Sequence, residues 1–141
     1  MEIKVWHEGQ RDSEFYNRIG PYALDKGVVE ELHDTKWGGM YDAPYATWFI
    51  AVGKQGETLG FAALFNKDKE IFLDHNYVVP EHRGKGIGKK LFETRLEFAK
   101  GIKCNKKIKG ITMNPIQYNT YLKQGFTLAS KRGKYYWMEL V

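Results

Sequence analysis

The chain has 141 residues, 43% of them apolar and 15% aromatic, which is enough to build one folded domain and excludes a disordered chain. Its net charge of +5 is uneven: residues 81–109 hold ten basic and three acidic residues (10 − 3 = +7), whereas the rest of the chain holds twelve and fourteen (12 − 14 = −2). This excess indicates an anionic partner, a phosphate compound or nucleic acid, or else a solvated helix face.

The absence of a disulfide pair, a secretion signal and a membrane span in the sequence indicates the cellular compartment. One cysteine, Cys104, rules out an internal disulfide and fits a reducing compartment. The first ten residues lack the basic start and apolar stretch of a secretion signal, and no run approaches the roughly 18 apolar residues of a membrane span. The histidines show no metal-ligand spacing with Cys104. We therefore expect a cytoplasmic single domain, residues 1–141, without membrane or metal partners.

The first half of the chain predicts one strand, two short helices and three further strands. The first strand covers residues 2–6, where Ile3 and Val5 alternate with charged neighbours. The first helix should end near Gly20 and Pro21. The short turns between the last three strands predict an antiparallel meander. The remaining elements of this half are a helix around residues 28–33 and strands at 46–53, 57–66 and 70–79.

The second half predicts a helix, a strand, a second helix and a closing hairpin. A strand–helix–strand crossover joins parallel strands, so the strand before Pro80 and the strand at 107–113 should run parallel. The sequence thus predicts an α+β fold, with a mixed, mainly antiparallel sheet of six to seven strands and about four helices. The helix that begins at Gly86 carries one apolar stripe, made of Ile87, Leu91, Phe98 and Ile102. The remaining elements are a helix from Pro115 to a stop at Gly125 and strands at 126–130 and 135–141.

One turn concentrates glycine and positive charge, since residues 83–90 (RGKGIGKK) hold three glycines and four basic residues. A strand that enters such a turn and then a helix offers unpaired N–H groups and a helix dipole to a phosphate. The segment is neither a Walker A loop nor a dinucleotide fingerprint, because Lys89 or Leu91 stands where the last glycine of that fingerprint belongs. Its glycines can also serve only a tight turn and close helix packing.

The pattern Arg83-x-x-Gly86-x-Gly88 closely resembles the acyl-CoA-binding motif of the GNAT N-acetyltransferase superfamily, [RQ]-x-x-G-x-[GA] after a strand. The order of elements also resembles that family, over the whole chain and most specifically over residues 70–126. The resemblance implies a GNAT-like fold in which one parallel pair of strands is splayed to admit acyl-CoA. A second segment agrees with the family's Asn–Tyr–Gly-Phe spacing, found here as Asn114, Tyr121, Gly125 and Phe126.

The resemblance implies acetyl-CoA as co-substrate, with its pyrophosphate on the main-chain amides of the turn and its pantetheine arm along the splayed strand. Asn114 can equally be the N-cap of a helix before Pro115, and the two roles can coexist. The implied cofactor-binding residues are Tyr77, Val78, Val79, Arg83, Gly84, Lys85, Gly86, Ile87, Gly88, Lys89, Asn114 and Tyr121.

Acetyl transfer to an amine needs a base and an acid. A lysine-like amine has a pKa near 10.4, so removing its proton at pH 7 costs about 4.6 kcal/mol. Tyr121 is the predicted general acid for the departing thiolate, with Tyr118 one turn earlier as the fallback; an ordinary packing role is the alternative. Asp74 is the first candidate base, unless it is simply a polar strand residue. Strand alternation places it on one face with Asn76 and places His75 on the other.

The acceptor stays open among a small amine, a peptide or protein amine and an aminoacyl-tRNA. Side chains after the second helix could line its cleft, whereas Trp48 lies in a strand and should pack in the core. The rival classes are a basic nucleic-acid-binding domain and a fold that binds CoA without catalysis. No nucleic-acid motif is present, so nucleic acid is not expected as a partner, while a tRNA acceptor and a homodimer stay open. The candidate cleft residues are Asp34, Trp37, Tyr41, Asp42 and Tyr45.

Overall fold

The computed structural model of the protein describes residues 1–32 and 40–140. Within these ranges one mixed seven-stranded sheet has the order β1-β2-β3-β4-β5-β7-β6, and β4–β5 is its parallel pair. This confirms the predicted α+β architecture and the predicted parallel crossover. The elements are β1 (Glu2–Trp6), α1 (Ser13–Ala23), α2 (Lys26–Leu32), β2 (Ala46–Val52), β3 (Thr58–Asn66), β4 (Glu70–Val78), α3 (Ile87–Ile102), β5 (Lys107–Thr112), α4 (Pro115–Lys123), β6 (Thr127–Arg132) and β7 (Tyr135–Leu140).

Several predicted boundaries differ from the structure by one to three residues. Helix α1 does not end at Gly20 but runs through Pro21 to Ala23. Pro21 has no N–H to donate to the carbonyl four residues earlier, and the helix ends two residues after it. In the closing hairpin β6 extends to Arg132, so the turn shrinks to Gly133 and Lys134. The predicted end of the second helix, His33, lies outside the described residues.

The sheet separates two apolar layers. Helices α3 and α4 cover one face, where Leu73, Leu91 and Tyr121 belong to one cluster of buried side chains. Helices α1 and α2 cover the other face, where Trp48 and Phe61 belong to a second cluster. Trp48 is 1% exposed, which confirms that it packs in the core. In the part of the chain that the structure describes, no helix is both long and apolar enough to cross a bilayer.

A bulge in β4 changes the direction of its side chains. The pairing of β3 with β4 shifts between Phe61 and Ala63, and His75 adopts a φ of +53°. The bulge puts one extra residue into β4, and this breaks the simple alternation of faces. Asp74 and His75 therefore both point toward the α1–α2 layer: Tyr41 bonds the first, and Trp48 stacks on the second at 5.6 Å. The predicted placement of His75 on the opposite face is wrong.

The parallel strands β4 and β5 separate directly after this point. Their pairing ends at Leu73 and Gly110, although β4 continues to Val78 and β5 continues to Thr112. The carboxyl halves of the two strands thus leave an opening in the middle of the sheet. This is the splayed pair that the sequence resemblance implies.

Candidate active site

The turn between β4 and α3 is a row of unpaired main-chain donors. A short 3-10 turn, Pro80–His82, precedes it, and α3 begins at Ile87 without a side-chain cap. The first intrahelical bond joins the amide of Lys90 to the Gly86 carbonyl at 3.0 Å. The six amides from Gly84 to Lys89 meet no protein acceptor among residues 1–32 and 40–140. Within the described residues, six adjacent N–H groups at a helix N-terminus are thus left without a partner, an arrangement that suits an anion.

Glycine is required in this turn for its backbone conformation. Gly84 and Gly86 have φ values of +79° and +83°, a region that side chains disfavour. A Cβ at either position would meet nothing within 4 Å, so the space above the amides is open. The basic side chains at 85 and 89 are exposed at the edge of this space. The geometry suits a large anion that touches the backbone directly.

The side chain of Arg83 is already committed within the protein. Its Nε donates to the Val78 carbonyl at 2.8 Å, and its Nη2 pairs with Glu31 at 2.7 Å. Its guanidinium also lies 5.3 Å from the centre of the Tyr77 ring. Arg83 thus ties the turn to the end of β4 and to α2. We therefore predict that Arg83 contributes to the cofactor site by fixing the shape of the turn more than by its charge.

Strand β4 presents main-chain groups to the opening. The amide of Val79 donates to the Leu59 carbonyl at 2.9 Å, so it points toward β3. Because successive residues of an antiparallel strand alternate in hydrogen-bonding direction, the N–H of Val78 points the other way, into the opening. The commitment of the Val78 carbonyl to Arg83 agrees with this direction. Tyr77 pairs with Phe61 on the β3 side.

The hydroxyl of Tyr121 lies where β4 and β5 separate. A Cβ at Gly110, the last paired residue of β5, would overlap this hydroxyl and would fall 2.6 Å from the ring atoms Cε1 and Cζ. The ring packs edge-on against Phe92 and Phe126 with centroid distances of 4.8 and 4.9 Å. It is 1% exposed. Burial is the main cause that raises the pKa of Tyr121, so the hydroxyl keeps its proton at neutral pH.

Asp74 lies on the opposite face at the same level of the sheet. Its Oδ2 accepts a hydrogen bond from the Tyr41 hydroxyl at 3.1 Å, and its Oδ1 accepts one from the His75 amide at 2.8 Å. Burial first, and then the Asp74 charge, raise the pKa of Tyr41, so this phenol remains a hydrogen-bond donor. Asp74 is 8% exposed. The predicted acid and base therefore flank the point of separation from two sides.

Two other predicted residues, Asn114 and Tyr118, lie at the N-terminal end of α4. Asn114 caps the helix, with its Oδ1 accepting from the Ile116 amide at 2.8 Å, which confirms the capping role. Its exposed side chain leaves the amide nitrogen of Asn114 available to a ligand. The fallback acid Tyr118 is stacked on Tyr136 with the ring centroids 4.4 Å apart. In the candidate acceptor loop, Asp34 and Trp37 lie outside the described residues.

Asp42, considered for acceptor binding, is instead held by the protein. Arg11 donates to its two carboxylate oxygens at 2.8 and 2.9 Å, and Trp48 Nε1 donates at 2.8 Å. Burial alone would raise the pKa of Asp42, but these hydrogen bonds outweigh it and hold the pKa below its usual value. This carboxylate anchors the loop before β2 to Arg11 and the Trp48 core, so it is not free for an amine.

The anchoring role of Asp42 predicts a pH-dependent stability. Because its folded pKa lies below its unfolded value of about 3.8, its contribution is full above that value and is lost as pH falls through the folded pKa. Asp42→Asn should therefore cost about 2 kcal/mol of unfolding free energy at pH 7. Urea denaturation at pH 7 and at pH 3 measures this, and the difference from wild type should shrink at pH 3. An equal difference at both pH values would contradict the prediction.

Sequence reasoning missed three residues of this region. Tyr41 was considered only for acceptor binding, yet it bonds Asp74. Gly110 was read only as part of a strand. Arg95, in the middle of α3, is 0% exposed and reaches the β3–β4 bulge with its Nη1. A signal for it was present, because Arg95 fills the seven-residue gap between Leu91 and Phe98 in the apolar stripe of the helix.

The region combines a strand–turn–helix that suits an anion with a splayed parallel pair, and this arrangement suits an extended phosphate compound that lies along the sheet. The family model for the acetyltransferase (GNAT) family matches residues 10–126. The chain belongs to the GNAT acetyltransferase family. Among the residues that the structure describes, no group of three or more His, Cys, Asp or Glu side chains is placed to hold a metal ion.

Known proteins agree with this fold. The chain is 39% identical over 54 residues to streptothricin acetyltransferase of Streptomyces lavendulae, a match that covers 37% of this chain and only 29% of that protein. It superposes on Escherichia coli ElaA with a TM-score of 0.77 and 15% identity over 100% of both chains. An acyl-CoA N-acyltransferase from Pseudomonas aeruginosa gives the same TM-score and identity over 99% of each chain. These two structures establish the shared fold.

Proposed function

We propose that the protein is an acetyl-CoA-dependent N-acetyltransferase that acts on a primary amine. One observation carries the proposal: six free amides, from Gly84 to Lys89, stand at the mouth of an opening whose inner end is flanked by Tyr121 and Asp74. The amides suit a pyrophosphate, the opening suits an extended thioester arm, and the two side chains suit acid–base chemistry. Family membership supports acyl transfer as the reaction class.

Each side chain has one task in the proposed reaction. Acetyl-CoA supplies an activated acetyl thioester. Asp74, directly or through Tyr41 or a water, accepts the proton that the amine loses as it bonds to the acetyl carbon. The Val78 N–H can donate to the carbonyl oxygen as that oxygen gains negative charge. When the carbon–sulfur bond breaks, Tyr121 gives its proton to the sulfur.

The two faces of the sheet separate the two proton transfers. Asp74 faces the α1–α2 layer, from which the amine would enter, and Tyr121 faces the α3–α4 layer. This separation lets each group meet its own reacting atom, the amine nitrogen for Asp74 and the thioester sulfur for Tyr121. The raised pKa of Tyr121, caused mainly by its burial, keeps its proton in place until a thiolate forms.

The acceptor that we propose to test first is a primary amine on a small cationic molecule. The partial likeness to streptothricin acetyltransferase supports the same class of acceptor. Peptide and protein amines and aminoacyl-tRNA remain acceptors to screen next.

Calorimetric titration with acetyl-CoA and with CoA tests the cofactor part of the proposal. Wild type should bind with a micromolar or lower Kd. Gly86→Glu should weaken binding by about 100-fold or more, because a carboxylate would then stand among the amides and meet the phosphates. The substitution also meets a φ of +83°, so its fold must be checked by circular dichroism.

Gly9→Glu is the matched control. Gly9 has a φ of +74° and open space around its Cβ, and it follows β1, whose carboxyl end lies at the opposite end of the sheet from that of β4. It adds the same charge at similar backbone strain, so its Kd should stay within about threefold of wild type. Wild type that binds neither CoA compound but binds RNA in a salt-dependent manner would replace the proposal with the nucleic-acid alternative.

A further inference from the structure

Arg95 is a buried cation whose hydrogen bonds are incomplete. It projects from the middle of α3 toward the sheet and is 0% exposed. Its Nη1 donates to the carbonyls of Ala63 at 3.1 Å and Asp74 at 3.0 Å. Its Nε and Nη2 have no partner within residues 1–32 and 40–140. Burying a guanidinium is costly, and leaving two of its nitrogens unpaired adds to the cost.

The position of Arg95 joins the bulge to the candidate acid. Ala63 and Asp74 form the strand pair next to the bulge in β4, so Nη1 holds both strands where β4 begins to separate from β5. On its other side the guanidinium lies close enough to the Tyr121 hydroxyl to lower the pKa of that hydroxyl by its charge and by a hydrogen-bond contact. That contact is not aligned well enough to give Nε or Nη2 a hydrogen-bond partner within residues 1–32 and 40–140. The unpaired nitrogens are therefore in the vicinity of the one hydroxyl that the proposed function makes reactive.

We propose that Arg95 is a positioning residue that holds a positive charge beside Tyr121 and stabilises the phenolate left when Tyr121 gives up its proton. This inference rests on the proposed function. The proton moves from the Tyr121 oxygen to the thiolate sulfur, and the negative charge moves from sulfur to the Tyr121 oxygen. The N–H groups of Arg95 that face that oxygen can then form a charge-assisted hydrogen bond with it, a contact that becomes stronger once the transfer has put the negative charge there.

The electrostatic surroundings of Tyr121 agree with this role. Burial raises the pKa of Tyr121, the charge of Arg95 on α3 lowers it, the charge of Asp74 on β4 raises it, and a hydrogen-bond contact with Arg95 lowers it. These are the charged groups that act on the phenol from the elements packed against it. Removing the positive charge should therefore raise the pKa of Tyr121 and make it a poorer proton donor to sulfur.

A double-mutant cycle distinguishes this effect on Tyr121 from a purely structural role, in which Arg95 only stabilises the bulge between β3 and β4. Arg95→Gln should lower kcat by about 10- to 100-fold, since it removes one charge-assisted contact, while the Kd for acetyl-CoA stays within about threefold. Arg95→Lys keeps the charge and should recover part of kcat. In a Tyr121→Phe background the Arg95→Gln change should have no more than about a twofold further effect. An equal loss in both backgrounds would show that Arg95 only supports the strands, and would overturn the inference.

A second measurement does not depend on turnover, so its result can contradict this inference without contradicting the proposed function. Nuclear magnetic resonance of protein carrying ¹³Cζ-tyrosine follows the ionisation of Tyr121, assigned by its absence in Tyr121→Phe. Tyr121 should begin to ionise at a lower pH in wild type than in Arg95→Gln. No difference between the two proteins overturns the inference even if acetyl-CoA binds. Should Arg95→Gln not fold, Arg95→Met, which keeps the apolar stem, takes its place in both measurements.

Discussion

Replacing Tyr121 by phenylalanine should lower kcat by about 10²- to 10⁴-fold, which is the usual contribution of a positioned general acid. The departing thiolate would then leave without a proton donor. The ring should keep its place, because Phe92 and Phe126 pack against its edges and Gly110 lies beneath it. The Kd for acetyl-CoA should therefore stay within about threefold. The release of free CoA thiol, followed by absorbance with a cationic amine as acceptor, measures the effect.

Tyr118→Phe is the matched control, because it also removes a tyrosine hydroxyl, one turn earlier on α4. Tyr118 is stacked on Tyr136 with centroids 4.4 Å apart, and its role in packing is independent of its hydroxyl. Its kcat should remain within about threefold of wild type. If instead Tyr118→Phe were the inactive variant and Tyr121→Phe were active, the assignment of the acid to Tyr121 would be wrong.

Local rules were enough to predict most of the fold. The first strand has the predicted bounds because its alternating residues and the glycine after them leave little choice. Helix α4 starts at Pro115 and stops before Gly125, as capping preferences require. The parallel pair followed from the handedness of the crossover between β4 and β5. These features depend on neighbours in sequence, or on a rule that holds for nearly all folds.

The bulge at His75 is what the sequence could not reveal. Period-two alternation assumes a regular pleat, and one inserted residue reverses every face that follows. No glycine or proline marks the place, because the positive φ falls on a histidine held by Trp48 and by neighbouring aromatic rings. As a result the sequence places His75 on the face opposite Asp74, whereas the two side chains share one face in the structure. The partners of Tyr121 were hidden for a related reason, since they come from β5 and α3.

Gly110→Ala should damage both stability and catalysis, because it puts a methyl group where the Tyr121 ring lies. The nearest ring atoms would be 2.6 Å from the new carbon, well inside contact distance. The ring cannot withdraw, since Phe92 and Phe126 fill the space behind it. Overpacking of this kind costs about 1–3 kcal/mol of unfolding free energy. Urea denaturation measures that loss, and kcat should fall by about 10-fold or more even where the variant is fully folded.

The comparison with Gly101→Ala isolates the contact from the change of residue. Gly101 lies in the last turn of α3 with nothing within 4 Å of its Cβ position, so an alanine there should stabilise the helix by about 0.5–1 kcal/mol. Combining Gly110→Ala with Tyr121→Phe should return part of the lost stability, because the overlapping hydroxyl is gone, but none of the lost turnover. We expect this recovery of stability without recovery of turnover only if the lack of a side chain at Gly110 lets the Tyr121 hydroxyl lie where β4 and β5 separate. A Gly110→Ala protein with wild-type stability and kcat would place the hydroxyl elsewhere and remove the basis for Tyr121 as the acid.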